Sequence, residues 1–178
     1  MLSFPISLPC KWYSGSFDTP ELRMISRYLQ SWLLEEGSLT ARLKATCEEF
    51  FVEVLSESRQ PVPDELSRLF PDDEIQMWCR EVLLWCDNQP VVYAQSWIPE
   101  SLQAMTKLGT TPLGEVLFQT PKWTRGEVEI TLIDEPLYEL LDKLNLKHET
   151  KSARRSVFTQ GEFSMLVCEA FLLEPKKT

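Results

Sequence analysis

Apolar and polar residues alternate with a period of two along much of this chain, and such alternation is typical of β-strands. The predicted strands cover residues 48–55, 75–86, 90–98, 127–132 and a final hairpin over 155–173. The turn signals Asp87-Asn-Gln-Pro90 and Thr159-Gln-Gly161 lie between apolar runs. Because short turns join antiparallel neighbours, we expect adjacent antiparallel pairs of strands.

Helical spacing of apolar residues appears between the predicted strands. The sequence Asp18-Thr-Pro-Glu21 has the features of a helix start, and an amphipathic helix is predicted from there to about Glu36. Shorter helices are predicted over residues 38–44, 112–118 and 135–144. Residues 57–73 are polar and marked by prolines, which predicts a loop with a single helical turn inside it.

Antiparallel strand pairs with helices inserted between them predict the α+β class. The chain shows no regular alternation of strand and helix, the pattern of a parallel sheet. With 178 residues, it is expected to form one domain over residues 1–178, built on a single antiparallel sheet. The long central strands are apolar on both faces, which indicates a sheet covered on each side.

Composition and charge exclude several classes of protein. Hydrophobic residues make up 43% of the chain and the formal net charge is −9, whereas a nucleic-acid binder normally presents a basic face. Five cysteines, no Cys-x-x-Cys motif and a single histidine, His148, fit neither a zinc site nor a disulfide framework. We therefore expect no metal, no nucleic-acid partner and reduced thiols.

The N-terminus and the hydropathy pattern predict a cytoplasmic protein. Residues 1–10 lack a basic start and contain two prolines, unlike a secretory signal. No stretch approaches the roughly 20 apolar residues that cross a bilayer. A monomer is expected.

Two charged residues lie in long apolar runs and are the strongest site candidates. Glu169 is the only polar member of its strand face, which it shares with Phe163, Met165, Val167, Phe171 and Leu173. Arg80 shares a face with Trp78, Val82 and Leu84, while Glu81 points the opposite way. Burying a charge costs free energy unless an opposite charge or a hydrogen-bond partner compensates for it. Each of the two residues therefore needs a partner or a ligand.

The pattern leaves two interpretations of these charges open. Arg80 and Glu169 either form a buried ion pair or contact backbone groups, or they line one cavity and hold the two ends of a small polar ligand. A guanidinium offers a planar fork for a carboxylate, and a carboxyl group can hydrogen-bond a hydroxyl. A basic cluster includes Arg154 and Arg155, which could attract an anionic ligand.

Several motifs, in their order and spacing, resemble the chorismate pyruvate-lyase family over roughly residues 20–174. They are Trp32-Leu-Leu-Glu-Glu-Gly-Ser-Leu-Thr40, Trp78-Cys-Arg-Glu-Val-Leu-Leu84, Leu108-Gly-Thr-Thr-Pro-Leu-Gly-Glu-Val-Leu-Phe118, Thr124-Arg-Gly-Glu-Val-Glu-Ile130, Ala153-Arg-Arg-Ser156 and Val167-Cys-Glu-Ala-Phe-Leu172. Residues 45–73 match the family poorly. The resemblance implies a cofactor-free lyase that converts chorismate to 4-hydroxybenzoate and pyruvate, the entry step to ubiquinone. It also implies an internal ligand cavity beneath helical flaps.

The resemblance assigns roles to individual residues. Arg80 falls on the arginine that holds the ring carboxylate, and Glu169 on the glutamate that binds the ring hydroxyl. Main-chain contacts fall on Leu113 and on Leu39, where the family pattern has methionine. The second carboxylate of chorismate needs another cation, for which Arg155 is the first candidate and Arg125 the second.

A rival hypothesis is a binding module without catalysis. Effector domains of GntR-type transcription regulators have a related architecture and bind small polar ligands. The acidic chain, with no DNA-binding domain before residue 20, argues against that reading. A structural protein with a buried pair of charges is the third possibility.

Overall fold

The computed structural model describes residues 1–9, 11–70, 76–119 and 123–177. Cys10, residues 71–73 of the predicted loop and residue 75 of a predicted strand lie outside these ranges.

One antiparallel sheet of eight strands organises the described residues. The strands are β1 (Tyr13–Ser14), β2 (Phe50–Pro61), β3 (Gln76–Cys86), β4 (Gln89–Ile98), β5 (Thr124–Arg125), β6 (Glu129–Ile133), β7 (Lys151–Gln160) and β8 (Phe163–Phe171). Their order across the sheet is β1-β6-β7-β8-β4-β3-β2, with β5 paired to β7 outside this path. Every pairing is antiparallel. The predicted α+β class with a single antiparallel sheet is confirmed.

Two tight hairpins set the register of the central strands. β3 and β4 turn at Asp87 and Asn88, which both have positive φ, at 48° and 61°, as a twisted two-residue hairpin turn requires. β7 and β8 are joined through Gly161, with φ of 58°. Both predicted hairpins are therefore present, although β7 begins at Lys151, earlier than the predicted residue 155.

Short helices lie between the strands. They are α1 (Pro20–Arg23), α2 (Arg27–Leu33), α3 (Leu39–Lys44), α4 (Asp64–Ser67), α5 (Gln103–Thr106), α6 (Leu113–Gln119) and α7 (Tyr138–Lys143), the last preceded by a 3₁₀ turn (Glu135–Leu137). The helical turn predicted inside the 57–73 segment is α4. No helix among the described residues is long and apolar enough to cross a membrane.

The single helix predicted from Asp18 to Glu36 is wrong, because the chain breaks it into α1 and α2. Ser26 lies at the break, and its hydroxyl accepts a hydrogen bond from the Leu29 N–H over 3.1 Å. A serine in this position begins a new helix instead of continuing the old one. α2 then ends at Leu33.

The predicted loop from residue 57 is also wrong in its first part, because β2 continues to Pro61. Residues 56–61 pair with β3 after a register shift between Val54 and Ser56. β2 is the edge strand of the sheet, and edge strands carry polar and proline residues that resemble a loop in sequence.

Both faces of the sheet are covered, as the two-sided apolar pattern predicts. Helices α1, α2 and α3 pack on one face, where Leu22, Trp32 and Leu43 join Val82 and Leu84 in one apolar cluster. α7 and the N-terminal segment pack on the other face, where Ile6, Leu140 and Leu141 join Leu83 and Tyr93. The alternation of side chains along β3 and β4 thus supplies both halves of the core.

Candidate active site

A cavity of about 50 Å³ lies between the sheet and the helices α3 and α6. Its floor is one face of β3, β4, β7 and β8, and its cover begins at Leu39 and Leu113. The lining includes the predicted residues Arg80, Glu169, Leu39, Leu113 and Arg125, together with Arg154, Ser96, Phe158 and Val167. The two charges singled out in the sequence therefore face one shared space beneath helices, as the resemblance implies.

Arg80 is held from two sides. Its side chain is 2% exposed, and one terminal nitrogen donates to the carboxylate of Glu57 on the neighbouring strand β2. The other terminal nitrogen donates to the backbone oxygen of Thr111, just before α6, over 3.1 Å. Among the described residues these contacts engage two of the five N–H donors of a guanidinium, and they fix the orientation of the fork.

Glu169 is paired with Arg154, directly opposite it on β7. The Arg154 Nε donates to Glu169 Oε1 over 2.9 Å. This pairing and the Arg80–Glu57 pairing contradict the interpretation in which Arg80 and Glu169 form an ion pair with each other. Each has its own protein partner, and Arg80 also contacts a backbone oxygen, as the structural interpretation allows.

Arg154 also connects the sheet to the end of α2. Its Nη1 donates to the backbone oxygens of Trp32 and Leu33, each over 3.3 Å, and of Glu35 over 2.9 Å. These carbonyls lie at the C-terminus of α2, where a helix has unpaired acceptors and a partial negative charge. A cation at this point stabilises the C-terminal end of α2, which packs on the same face of the sheet as the cavity.

Arg125 places a further cation in the cavity wall. It donates to the Ser156 hydroxyl over 3.1 Å and to the Glu35 backbone oxygen over 2.6 Å. Burial, and after it the positive charge of Arg154, lower the pKa of Arg125 to about 10. Arg125 therefore remains protonated at neutral pH, and its charge favours an anion in the cavity.

Leu39 and Leu113 are the first residues of α3 and α6. The first backbone N–H groups of a helix have no acceptor within the helix, so both positions suit main-chain contact with an anion. The two helix starts are packed closely, because a Cβ atom on Gly114 would lie only 3.0 Å from the Thr40 hydroxyl oxygen. Glycine at that position permits the approach.

The structure corrects the prediction for Arg155, because this residue does not line the cavity. Consecutive strand residues point to opposite faces, and since Arg154 faces the cavity, Arg155 faces away. Its Nε donates to Glu129 Oε1 over 2.9 Å, and its guanidinium lies 4.6 Å from the ring centre of Trp12. Of the two residues predicted to bind a second carboxylate, Arg125 lines the cavity and Arg155 does not.

Sequence reasoning missed the roles of Arg154 and Glu57. A signal for Arg154 was present, since the predicted hairpin turn at residues 159–161 places residues 154 and 169 near each other on facing strands. Glu57 carries no such signal, because the polar, proline-marked sequence of residues 57–73 predicts a loop there. Among the parts of the chain that the structure describes, no three His, Cys, Asp or Glu side chains cluster to hold a metal ion.

Comparison with solved structures shows which proteins share the fold. PhnF from Mycobacterium smegmatis matches with a TM-score of 0.61 at 13% identity, over 81% of this chain and 67% of that one. The ligand-binding domain of a putative GntR-family regulator from Bordetella bronchiseptica matches with a TM-score of 0.56 at 13% identity, over 73% and 90%. At such identities the likeness concerns the fold alone.

Comparison of sequences gives a more specific result. A probable chorismate pyruvate-lyase of Pseudoalteromonas translucida is 40% identical over 178 residues, covering 97% of both chains. A protein of the same description from Shewanella loihica is 36% identical over 181 residues, covering 96% of this chain and 92% of its own. The family model described as Chorismate lyase matches residues 16–177. The chain therefore belongs to the chorismate lyase family.

Proposed function

We propose that this protein is a chorismate pyruvate-lyase, which converts chorismate to 4-hydroxybenzoate and pyruvate. The observation that carries the proposal is the placement of Arg80 and Glu169 on one wall of a covered cavity. They lie on β3 and β8, the two neighbours of β4, so their strands are separated by two strand spacings, about 10 Å. Side chains reaching inward from such positions can hold opposite ends of one ring.

The ring carboxylate is assigned to Arg80. Its guanidinium is oriented by Glu57 and Thr111, and its remaining donors suit a carboxylate fork. The backbone N–H groups of Leu39 and Leu113, at the starts of two helices, are assigned to the same carboxylate. A ring held by its carboxylate in this way has its opposite end near β8.

The hydroxyl at C4 of the ring is assigned to Glu169. Arg154 engages the Oε1 atom of this carboxylate, and Oε2 is assigned to the ligand. In the reaction the bond from ring C3 to the enolpyruvyl oxygen breaks and the hydrogen at C4 is lost, which leaves an aromatic ring. Transfer of that hydrogen to the enolpyruvyl methylene gives pyruvate directly, and Glu169 then serves to position the ring.

The carboxylate of the enolpyruvyl arm is assigned to Arg125. This cation is close enough to Arg154 for the two charges to repel, as the lowered pKa of Arg125 indicates. A carboxylate near Arg125 relieves this repulsion. Binding of the enolpyruvyl carboxylate of chorismate is therefore favoured at Arg125, whereas 4-hydroxybenzoate has no carboxylate to place there. Because aromatisation drives the reaction, holding one reactive conformer is the main task of the enzyme.

Entry of the substrate requires the covering helices to move. The cavity of about 50 Å³ is smaller than the roughly 150 Å³ that holds a benzene ring in a protein interior. α3 and α6 therefore act as flaps that open for the substrate and close over it. We further propose that the protein acts as a monomer in the cytoplasm and supplies 4-hydroxybenzoate for ubiquinone.

The rival function is a binding module without catalysis, which the fold shared with the ligand-binding domain of a putative GntR-family regulator favours. Incubation of the purified protein with chorismate, followed by chromatography for 4-hydroxybenzoate, separates the two. Formation of the product supports the lyase. Tight binding of an aromatic acid without any product supports the binding module, and neither product nor binding supports a purely structural role for the buried charges.

A further inference from the structure

A second cavity, of about 160 Å³, lies on the opposite face of the sheet from the candidate active site. The sheet contributes Arg155, Gln95 and Trp97 to its wall. The N-terminal segment and α4 close it mainly with apolar side chains, among them Leu8, Trp12 and Leu66, and α4 also contributes the exposed Glu65. Nothing in the proposed lyase reaction uses this space.

Arg155 supplies a hydrogen-bond donor that has no acceptor. The residue is 2% exposed, and within the described part of the chain its Nη2 atom has no hydrogen-bond partner. Its Nε is engaged by Glu129. Buried polar atoms without partners are rare in folded proteins, and they point to a bound partner such as a water, an ion or a ligand. This nitrogen is therefore free to donate to a ligand in the cavity.

The other buried polar group of the cavity is already satisfied. Gln95 donates to the Ile6 backbone oxygen over 2.8 Å and to the Tyr93 hydroxyl over 3.0 Å. Its Oε1 accepts from Trp97 Nε1 over 2.9 Å. Of these two buried polar residues, Arg155 is therefore the one with an unused hydrogen-bond donor. The other residues that line the cavity are mostly apolar and aromatic.

The size and the lining define one class of ligand. A volume of about 160 Å³ is comparable to the roughly 150 Å³ cavity that holds benzene in a protein interior. A guanidinium N–H binds a carboxylate oxygen more strongly than a neutral acceptor. Glu129, which pairs with Arg155, keeps 31% of its side chain exposed, so solvent screens its charge more than that of the buried guanidinium.

We propose that this second cavity binds a small carboxylate with an apolar, ring-sized body, of the benzoate class. One carboxylate oxygen accepts a hydrogen bond from Arg155 Nη2, and the ring packs against Trp12, Leu8 and Leu66. Ligand binding here holds the N-terminal segment against the sheet. The proposal rests on the second cavity alone and stands whether or not the protein is a lyase.

The test is a titration of the ¹⁵N-labelled protein with benzoate, followed by the indole N–H signals of Trp12 and Trp97. Benzyl alcohol, which has the ring without the charge, is the neutral control. We expect both signals to move with benzoate, in the wild type and in Arg80→Ala, which removes the proposed anchor of the other cavity. In Arg155→Gln the affinity should fall at least about tenfold, with chorismate turnover unchanged.

A variant that fills the cavity keeps the test decisive where Arg155→Gln does not fold. Leu66→Phe retains Arg155 and occupies the space for the ring, so it should weaken benzoate binding while the protein remains folded. The proposal is overturned if the two indole signals stay in place with benzoate up to its solubility limit. It is equally overturned if benzyl alcohol moves them as much, or if Arg155→Gln and Leu66→Phe bind benzoate as the wild type does.

Discussion

Arg154 and Glu169 are directly paired on β7 and β8, and Arg154 Nε donates to Glu169 Oε1 over 2.9 Å. The same guanidinium donates to three backbone oxygens at the end of α2. One side chain therefore sets the position of the candidate catalytic carboxylate and stabilises the end of α2, which packs on the same face of the sheet. The shape of the site and the packing of α2 depend on each other at this point.

Replacement of Arg154 by Met should destabilise the fold by about 3–5 kcal/mol, because it leaves the largely buried carboxylate of Glu169, 14% exposed, without the guanidinium paired with it. The double variant Arg154→Met/Glu169→Met should recover part of that loss, since it leaves no unpaired charge. Urea unfolding of the two single variants and the double variant measures the coupling between the side chains. Strictly additive losses would show that the two residues do not stabilise each other.

Glu169→Gln should retain turnover within about tenfold of the wild type, since its amide still hydrogen-bonds the C4 hydroxyl and the ring still aromatises. Steady-state kinetics with chorismate checks this expectation. Glu169→Ala is the matched control, because it removes the hydrogen bond and should lower kcat/KM further. Complete loss of activity in Glu169→Gln, with the fold intact, would instead make proton transfer by this carboxylate obligatory.

Arg125→Gln should raise the KM for chorismate by about tenfold or more and leave the affinity for 4-hydroxybenzoate nearly unchanged. The reason is that the product lacks the enolpyruvyl carboxylate that Arg125 is proposed to hold. Arg155→Gln is the matched control, since Arg155 lies on the other face of the sheet and should leave unaltered the KM for chorismate and the competitive inhibition of turnover by 4-hydroxybenzoate. An equal loss of affinity for substrate and product in Arg125→Gln would contradict the assignment.

The sequence predicts an element correctly where nearby residues determine its structure, and less well where tertiary packing determines it. The turn at Asp87 and the alternation along β3 are local, and they correctly placed Arg80 on one face and Glu81 on the other. Ser26 is different, because a serine is compatible with both a helix interior and a new helix start, and only packing decides. Arg155 is a third case. Strand alternation predicts that Arg154 and Arg155 point to opposite faces of the sheet, but which of them faces the cavity depends on the register between β7 and β8.

Glu81 predicts a pH dependence of stability. Its side chain is buried, and burial raises the pKa of its carboxyl above the usual value, against the hydrogen bonds from Ile6 N–H, Tyr93 and Gln95. A carboxyl with a raised pKa in the folded state binds its proton more tightly when folded. Its contribution to stability is therefore present below the unfolded-state pKa and is lost as the pH rises through the folded-state pKa.

The variant Glu81→Gln has no titratable group at this position and keeps an acceptor for Ile6 and Tyr93. It should therefore not show the loss of stability that Glu81 causes as the pH rises. The free energy of unfolding of the variant, minus that of the wild type, should increase from about pH 4 to about pH 7. Urea unfolding at several pH values in this range provides the measurement. A difference that stays constant or decreases with pH would show that the donors around Glu81 outweigh its burial.

The conversion of chorismate by the wild type and by Arg80→Ala, with both products quantified over time, tests the central claim most directly. The wild type should release 4-hydroxybenzoate and pyruvate in equal amounts. Arg80→Ala should lose about 2–5 kcal/mol of binding to the ring carboxylate, a drop in kcat/KM of roughly thirtyfold to several thousandfold. Arg59→Ala, an exposed arginine on the adjacent strand, should behave as the wild type does. A wild type that binds chorismate without forming either product, or a folded Arg80→Ala with wild-type turnover, would contradict the account.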